Sequence, residues 1–159
     1  MKKKPIDHIS TLEKEEQLEL EMMNIVFGNK KQKNKIKDGT HVLKDSETGA
    51  TIIKEYFKDG KREGLFEFFW DSGQICMTGE YLKGKREGLH ELFYENGNTW
   101  STGEFIKDKP VGLHKHFHEN GTIHQEIFYK DGKLHGKVFS YLDTGELDWM
   151  NEYLNGEEV

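Results

Sequence analysis

The sequence predicts an all-β fold, an elongated single-layer antiparallel array of β-hairpins preceded by one α-helix, and three observations predict it. Glycines recur at a fixed step of 24 residues in three phase-locked series. Between them, two short runs rich in aromatic and branched residues, separated by a turn triplet such as Asp71-Ser72-Gly73, read as one β-hairpin per unit. Only residues 1–37 lack the repeat, and they carry a helical pattern instead.

In chain order, Ser10-Thr11-Leu12-Glu13 matches a capping box, and the Glu-, Leu- and Met-rich stretch that follows reads as a helix to Phe27, ended by Gly28. Its apolar residues gather late, at Met22, Met23, Ile25, Val26 and Phe27, to cap the first hairpin or to dock a partner. The stretch NKKQKNKIK is a basic linker. Residues 38–159 then form five hairpins of 24 residues each.

Gly49, Gly73, Gly97, Gly121 and Gly145 mark the turns within hairpins, and Gly60, Gly84, Gly132 and Gly156, with Asp108 in step, mark those between them. The third series is Gly64, Gly88, Gly112 and Gly136, and Phe57, Tyr81, Phe105, Tyr129 and Tyr153 keep the same phase. A repeat of this length signals an array. Triplets such as Asp71-Ser72-Gly73 and Glu119-Asn120-Gly121 suit three-residue loops whose glycine is left-handed. That loop pairs Phe117 with Ile123, His116 with His124 and His114 with Glu126. The core face would then hold Leu65, Phe69, Leu89, Phe93, Leu113, Phe117, Phe139 and Tyr141 from the first strands. Ile75, Ile123, Ile127, Leu147 and Trp149 join them from the second strands, with the recurrent aromatic. One hairpin buries too little to offset its own ordering, so each must lean on its neighbours.

Composition bounds the function. A chain of 159 residues fits one ordinary domain, and its 3 Trp, 6 Tyr and 10 Phe are too many for a disordered acidic segment. Cys76 has no second cysteine to pair with and reads as an inert thiol. No apolar run follows MKKKPIDHIS and none reaches membrane length, so a soluble cytoplasmic protein of bacterial style is expected. Residues 1–37 carry net charge +3 and residues 38–159 net −9, a balance that disfavours nucleic acid. Phosphate-loop, nucleophile-elbow, zinc-protease and dinucleotide motifs are absent, so neither an enzyme nor a cofactor is expected.

Three groups of residues stand out. On the face opposite the expected core, Phe66, Phe68, Trp70, Leu92, Tyr94 and Trp100 would offer aromatic anchors to a protein partner. His114, His116 and His118 alternate on that face. His116 and His124, with His114 or Glu126, would suit Zn or Ni, and the same cluster would serve as a pH-sensitive patch. Lys61, Arg62, Lys85 and Arg86 lie on the edge of inter-hairpin turns, where they would meet anions or a phospholipid surface. The opposite edge carries Glu47, Asp71, Glu95, Glu119 and Asp143.

The pattern Gly-Leu-x-x-x-Phe-Tyr-x-x-Gly, followed by Tyr-x-x-Gly-Lys-x-x-Gly, resembles the MORN repeat in its bacterial variant form. GLHELFYENGN and EIFYKDGKLHG carry the resemblance, which runs from Asp38 to Glu157. It implies the hairpin array and a module that binds proteins, dimerises or contacts phospholipid. Bacterial chains of this type are labelled YwqK-type antitoxins, which implies a toxin as one kind of partner. Asp108-Lys109-Pro110-Val111, Lys137 and a Gly39 one residue early depart from the pattern. The expected function is a non-enzymatic protein-interaction scaffold, with a membrane-surface module as the alternative and a His-cluster metal protein third.

Overall fold

The computed structural model describes residues 36–159, and the expected N-terminal helix and its capping role lie outside them. Twelve strands form one sheet: β1 (Gly39–Lys44), β2 (Thr51–Lys58), β3 (Lys61–Arg62), β4 (Gly64–Phe69), β5 (Ile75–Leu82) and β6 (Lys85–Phe93). The rest are β7 (Thr99–Ile106), β8 (Lys109–Phe117), β9 (Ile123–Lys130), β10 (Lys133–Tyr141), β11 (Leu147–Leu154) and β12 (Glu157–Glu158). Consecutive strands pair antiparallel throughout, β3 and β4 together lining β2. The hairpin array predicted from the glycine phase is therefore what forms, and no helix occurs among the described residues.

Four of the five predicted hairpin turns form as three-residue loops, whereas the first, at 46–49, closes as a four-residue loop in which Asp45 N–H donates to Ala50 O. Trp70 N–H donates to Gln74 O and Gly73 N–H to Trp70 O, both at 2.8 Å, and the same pair of bonds recurs at Tyr94, His118 and Leu142. Gly73, Gly97, Gly121 and Gly145 take φ of 85 to 87°, a region that side chains resist. Asp108, standing where glycine stands in the other units, also has positive φ (71°), and its carboxylate accepts Arg86 N–H at 2.9 Å.

One step beyond each turn the register departs from expectation. Phe117 faces Ile123 as predicted, but His116 faces Gln125, leaving His124 as an extra, bulged residue. The same bulge recurs every 24 residues, at Ile52, Cys76, Trp100, His124 and Asp148. A one-residue bulge carries the remainder of the strand to the opposite face. His114 consequently faces Ile127, and Lys115 faces Glu126.

This reverses the expected faces of the first strands. Phe66, Phe68 and Leu92, expected on the open face, are buried in the core together with His90, His114 and His116. Leu65, Leu89, Leu113 and Leu147, expected in the core, are exposed. The second strands were placed correctly at Ile127 and at the recurrent aromatic, since Phe57, Tyr81, Phe105, Tyr129 and Tyr153 are all buried. We call the buried side the inner face and the other the outer face.

The inner face packs ring against ring across units. Phe66 meets Tyr81 (centroids 5.0 Å) and His90 (5.4 Å), His90 meets Phe105 (5.1 Å), Phe105 meets His114 (5.3 Å), and His114 meets Tyr129 (4.9 Å). The two histidines fit because the strand beneath them is bare. A β-carbon on Gly79 would come within 2.7 Å of the His90 ring, and one on Gly103 would collide with His114. In the next unit the equivalent positions are Ile127 and Val138, both fully buried and paired, so a larger residue on one strand is matched by a smaller one opposite. Each histidine also bonds a carbonyl, Nε2–H of His90 to Glu80 O (3.0 Å) and Nε2–H of His114 to Glu104 O (2.9 Å). A buried polar ring is tolerable only with such a partner. Burial holds the His114 pKa below the usual imidazole value, backbone hydrogen bonds with Glu104 and Val111 pulling the other way.

Candidate interaction face

The outer face is ordered in rows because equivalent residues of successive hairpins line up across the strands. A polar row runs Lys54, Glu67, Thr78, Glu91, Thr102, Lys115 and Glu126, each residue paired with the next. Lys54–Glu67 (3.0 Å) and Lys115–Glu126 (3.1 Å) close as ion pairs within it. Such exposed pairs add at most about 1 kcal/mol each. Tyr141 O–H donates to Glu126 at 3.2 Å, and burial followed by that bond raises the tyrosine pKa.

Beside this row lies an apolar stripe. Leu65, Leu89 and Leu113 stand at the same position of three successive hairpins and are 73%, 51% and 49% exposed. Leu82 and Ile106, also exposed, extend the stripe toward the inter-hairpin turns, and Phe128 faces Leu113. Carboxylates interleave with these side chains: Glu80 faces Leu65 on one side and Glu87 on the other, and Glu104 faces Leu89. At the opposite end of the rows, Val42, Ala50, Thr51, Lys54, Glu67, Phe69 and Gly73 line an open hollow of about 500 Å³.

The residues singled out in the sequence fall into different places. Phe66, Phe68 and Leu92 belong to the core and present no surface. Trp70 and Tyr94 are half-buried latches: Trp70 Nε1–H donates to Phe93 O (3.1 Å) and Tyr94 O–H to Phe117 O (2.7 Å). His118 repeats the latch one unit on, its Nε2–H donating to Tyr141 O at 2.9 Å. Three chemically different donors thus serve one structural position. Trp100, the bulged residue, packs half-buried against Tyr94 at 6.1 Å. Burial, followed by the nearby Glu119 charge, raises the Tyr94 pKa.

The residues expected to hold a metal are not brought together. The bulge leaves His114 and His116 on the inner face, places Glu126 on the outer face beside Lys115, and sets His124 against His118 at 4.4 Å near the hairpin turn. Among the described residues no three His, Cys, Asp or Glu side chains are grouped to hold a metal ion. Cys76 is fully buried, and burial pushes its thiol up to about 12.

The basic edge divides. Arg62 turns inward, its Nε donating to buried Glu55 at 2.6 Å and its guanidinium lying over Tyr81 at 5.0 Å, while Arg86 covers Phe105 at 4.3 Å. Lys61 and Lys85 remain exposed. Carboxylates stitch this edge together, Glu63 accepting Lys83 N–H (2.7 Å) and Glu87 accepting Lys107 N–H (3.0 Å). The missed feature was the leucine stripe, and a signal for it existed. Glu67, Glu91 and Lys115 sit between the leucine and phenylalanine of each first strand, a poor choice for a core face.

A packed inner face, stitched edges and an outer face of repeating apolar rungs define a β-hairpin repeat protein. The family model for the MORN repeat variant matches three consecutive segments, residues 62–83, 86–107 and 110–131. MORN repeats are in general protein- or membrane-interaction modules. No curated protein matches the chain. Among solved structures it is similar to a mutant of S. aureus TarM crystallised with fondaparinux, alpha-GlcNAc-glycerol and UDP. That likeness has 14% identity over 75% of this chain and 23% of that one, at a TM-score of 0.42. A second TarM crystal structure gives 14% identity over 73% and 24%, with a TM-score of 0.40. A GtfA/B complex bound to UDP and GlcNAc gives 10% over 76% and 25%, with a TM-score of 0.27. The chain spans about a quarter of the length of these proteins, and likenesses at this level carry no functional argument.

Proposed function

We propose that the chain is a non-enzymatic scaffold that binds a protein partner along its outer face. The observation that carries this reading is the exposed stripe Leu65, Leu89 and Leu113, repeated in phase and flanked by Leu82 and Ile106. Singly exposed apolar residues are ordinary, whereas apolar side chains repeated in phase along one face offer a docking surface. An antitoxin-like role, suggested by the sequence resemblance, is the special case in which the partner is a toxin. Self-association is the case in which it is a second copy. The test is an untagged pull-down from the source cell with wild type and the folded variant Leu65→Ser/Leu89→Ser/Leu113→Ser. The reading expects a stoichiometric partner lost from the variant, and a partner retained equally by both would overturn it.

A second reading rests on the exposed lysines of the inter-hairpin edge, Lys61, Lys83, Lys85, Lys107, Lys109 and Lys133. Binding of anionic vesicles that Lys61→Glu/Lys85→Glu abolishes, and that the leucine variant leaves intact, would favour a membrane-surface module. The −9 charge of residues 38–159 opposes it.

A further inference from the structure

We infer that the outer stripe is shaped for one class of partner, a basic amphipathic α-helix lying across the strands with one heptad per hairpin. The inference rests on the scaffold reading above and names its occupant. Two lines of observation carry it, the spacing of the leucine rungs and the charge between them.

The rungs Leu65, Leu89 and Leu113 belong to first strands of successive hairpins, so two strand spacings separate neighbours. At about 4.8 Å per strand the rungs repeat at roughly 10 Å. A helix rises about 1.5 Å per residue, so residues seven apart on one face repeat at about 10.5 Å. The two ladders match within about 1 Å per rung. A heptad stripe drifts only about 20° per repeat on a straight helix, so three rungs stay on its face.

Charge selects the sign of that helix. Glu80 directly faces Glu87, and Glu104 faces Leu89. Like charges opposite each other across a strand pair are destabilising. Among the described residues, no lysine or arginine forms an ion pair with Glu80 or Glu104. Lysines or arginines flanking the heptad leucines of a bound helix would reach these carboxylates and relieve the repulsion. A second copy of the same face would bring its own glutamates against them, which argues against a face-to-face dimer. The same carboxylates oppose an anionic partner at the leucine rungs.

The test uses the full chain and a synthetic helical peptide of about 21 residues, three heptads, with leucine at every seventh position and lysines beside it. A second peptide has the same composition with its leucines scattered around the helix. The inference expects the phased peptide to bind, to gain helicity on binding by circular dichroism, and to bind at least about tenfold more tightly than the scattered one, a clear free-energy difference. Leu89→Arg and Glu80→Gln/Glu104→Gln, shown by unchanged thermal unfolding to be folded, should each weaken it by at least about tenfold. Equal binding of the two peptides, binding without helix gain, or no binding overturns the helix inference. So does a chain that sediments as a dimer dispersed by Leu89→Arg. The scaffold reading fails separately, and only if the leucine variant keeps its partner in the pull-down.

Discussion

Inner and outer faces are built from alternate residues of the same strands, yet they solve opposite problems. On the inner face, histidine, serine and glutamine are buried at His90, His114, His116, Ser101, Ser140 and Gln125, while on the outer face leucines stand in water. Hydropathy alone would have sorted them the other way. What decides is backbone geometry: a bulge after every hairpin turn sends the recurrent aromatic and the first-strand histidines to the same side, where bare glycines make room for the rings. The difference teaches that the inner face is specified by fit and by hydrogen-bonded polar groups. The outer face is free to vary with a partner.

The sharpest way to break the comparison is to fill the space under a histidine. Gly103→Ile should cost about 3 kcal/mol or more by overpacking against His114. Adding His114→Val reproduces the Ile127/Val138 pair of the next unit and should recover most of that loss, a coupling that a double-mutant cycle in urea would measure. Additive losses would mean that the two positions do not share one space.

Glu55→Ala comes next. In the first unit Glu55 occupies the place of Gly79 and Gly103 and holds Arg62 at 2.6 Å, both side chains nearly buried. Removing the carboxylate strands the guanidinium and should cost about 2–3 kcal/mol, somewhat below the usual loss for a fully buried pair because Arg62 keeps its contact with Tyr81. Replacing Glu55 and Arg62 together with apolar residues should cost less than Glu55→Ala alone.

Acid should distinguish the faces as well. The His114 pKa lies below the ordinary 6.5 because burial disfavours the imidazolium. The unfolded chain therefore takes up more protons than the folded one as pH falls below about 6.5, and that part of the stability, complete above this pH, declines on acidification. The Gly103→Ile/His114→Val variant should show a shallower decline in denaturant titrations across this range. The smallest effect belongs to the outer face: Leu89→Ser should change stability by no more than about 0.5 kcal/mol. A loss several times larger would place Leu89 in the core after all.

Much of the fold was legible because its determinants are local. Turn glycines, the 24-residue phase and the recurrent aromatic fixed the strands, the loops and half of the core. The bulge was not legible from the loop, since the turn chemistry Glu119-Asn120-Gly121 determines the first pair, Phe117 with Ile123, and nothing beyond it. Trp70 and Tyr94 looked like anchors because a strand pattern records that an aromatic is present, whereas their bonds run to carbonyls 23 residues away on the next hairpin. Two non-local clues were present all the same. Gly79 and Gly103 interrupt strands at equivalent positions, which marks a close approach, and a charged residue divides each leucine from its phenylalanine.

Thiol labelling of Leu89→Cys and Leu92→Cys, made separately, tests the central claim most directly, because these residues lie on one strand but on opposite faces. Native Cys76 is buried and should stay silent. Leu89→Cys should react as fast as an unstructured cysteine, and Leu92→Cys only as fast as the chain unfolds. Rapid labelling of Leu92→Cys with protection of Leu89→Cys would contradict the assignment of the faces, and with it the binding surface proposed on the outer one.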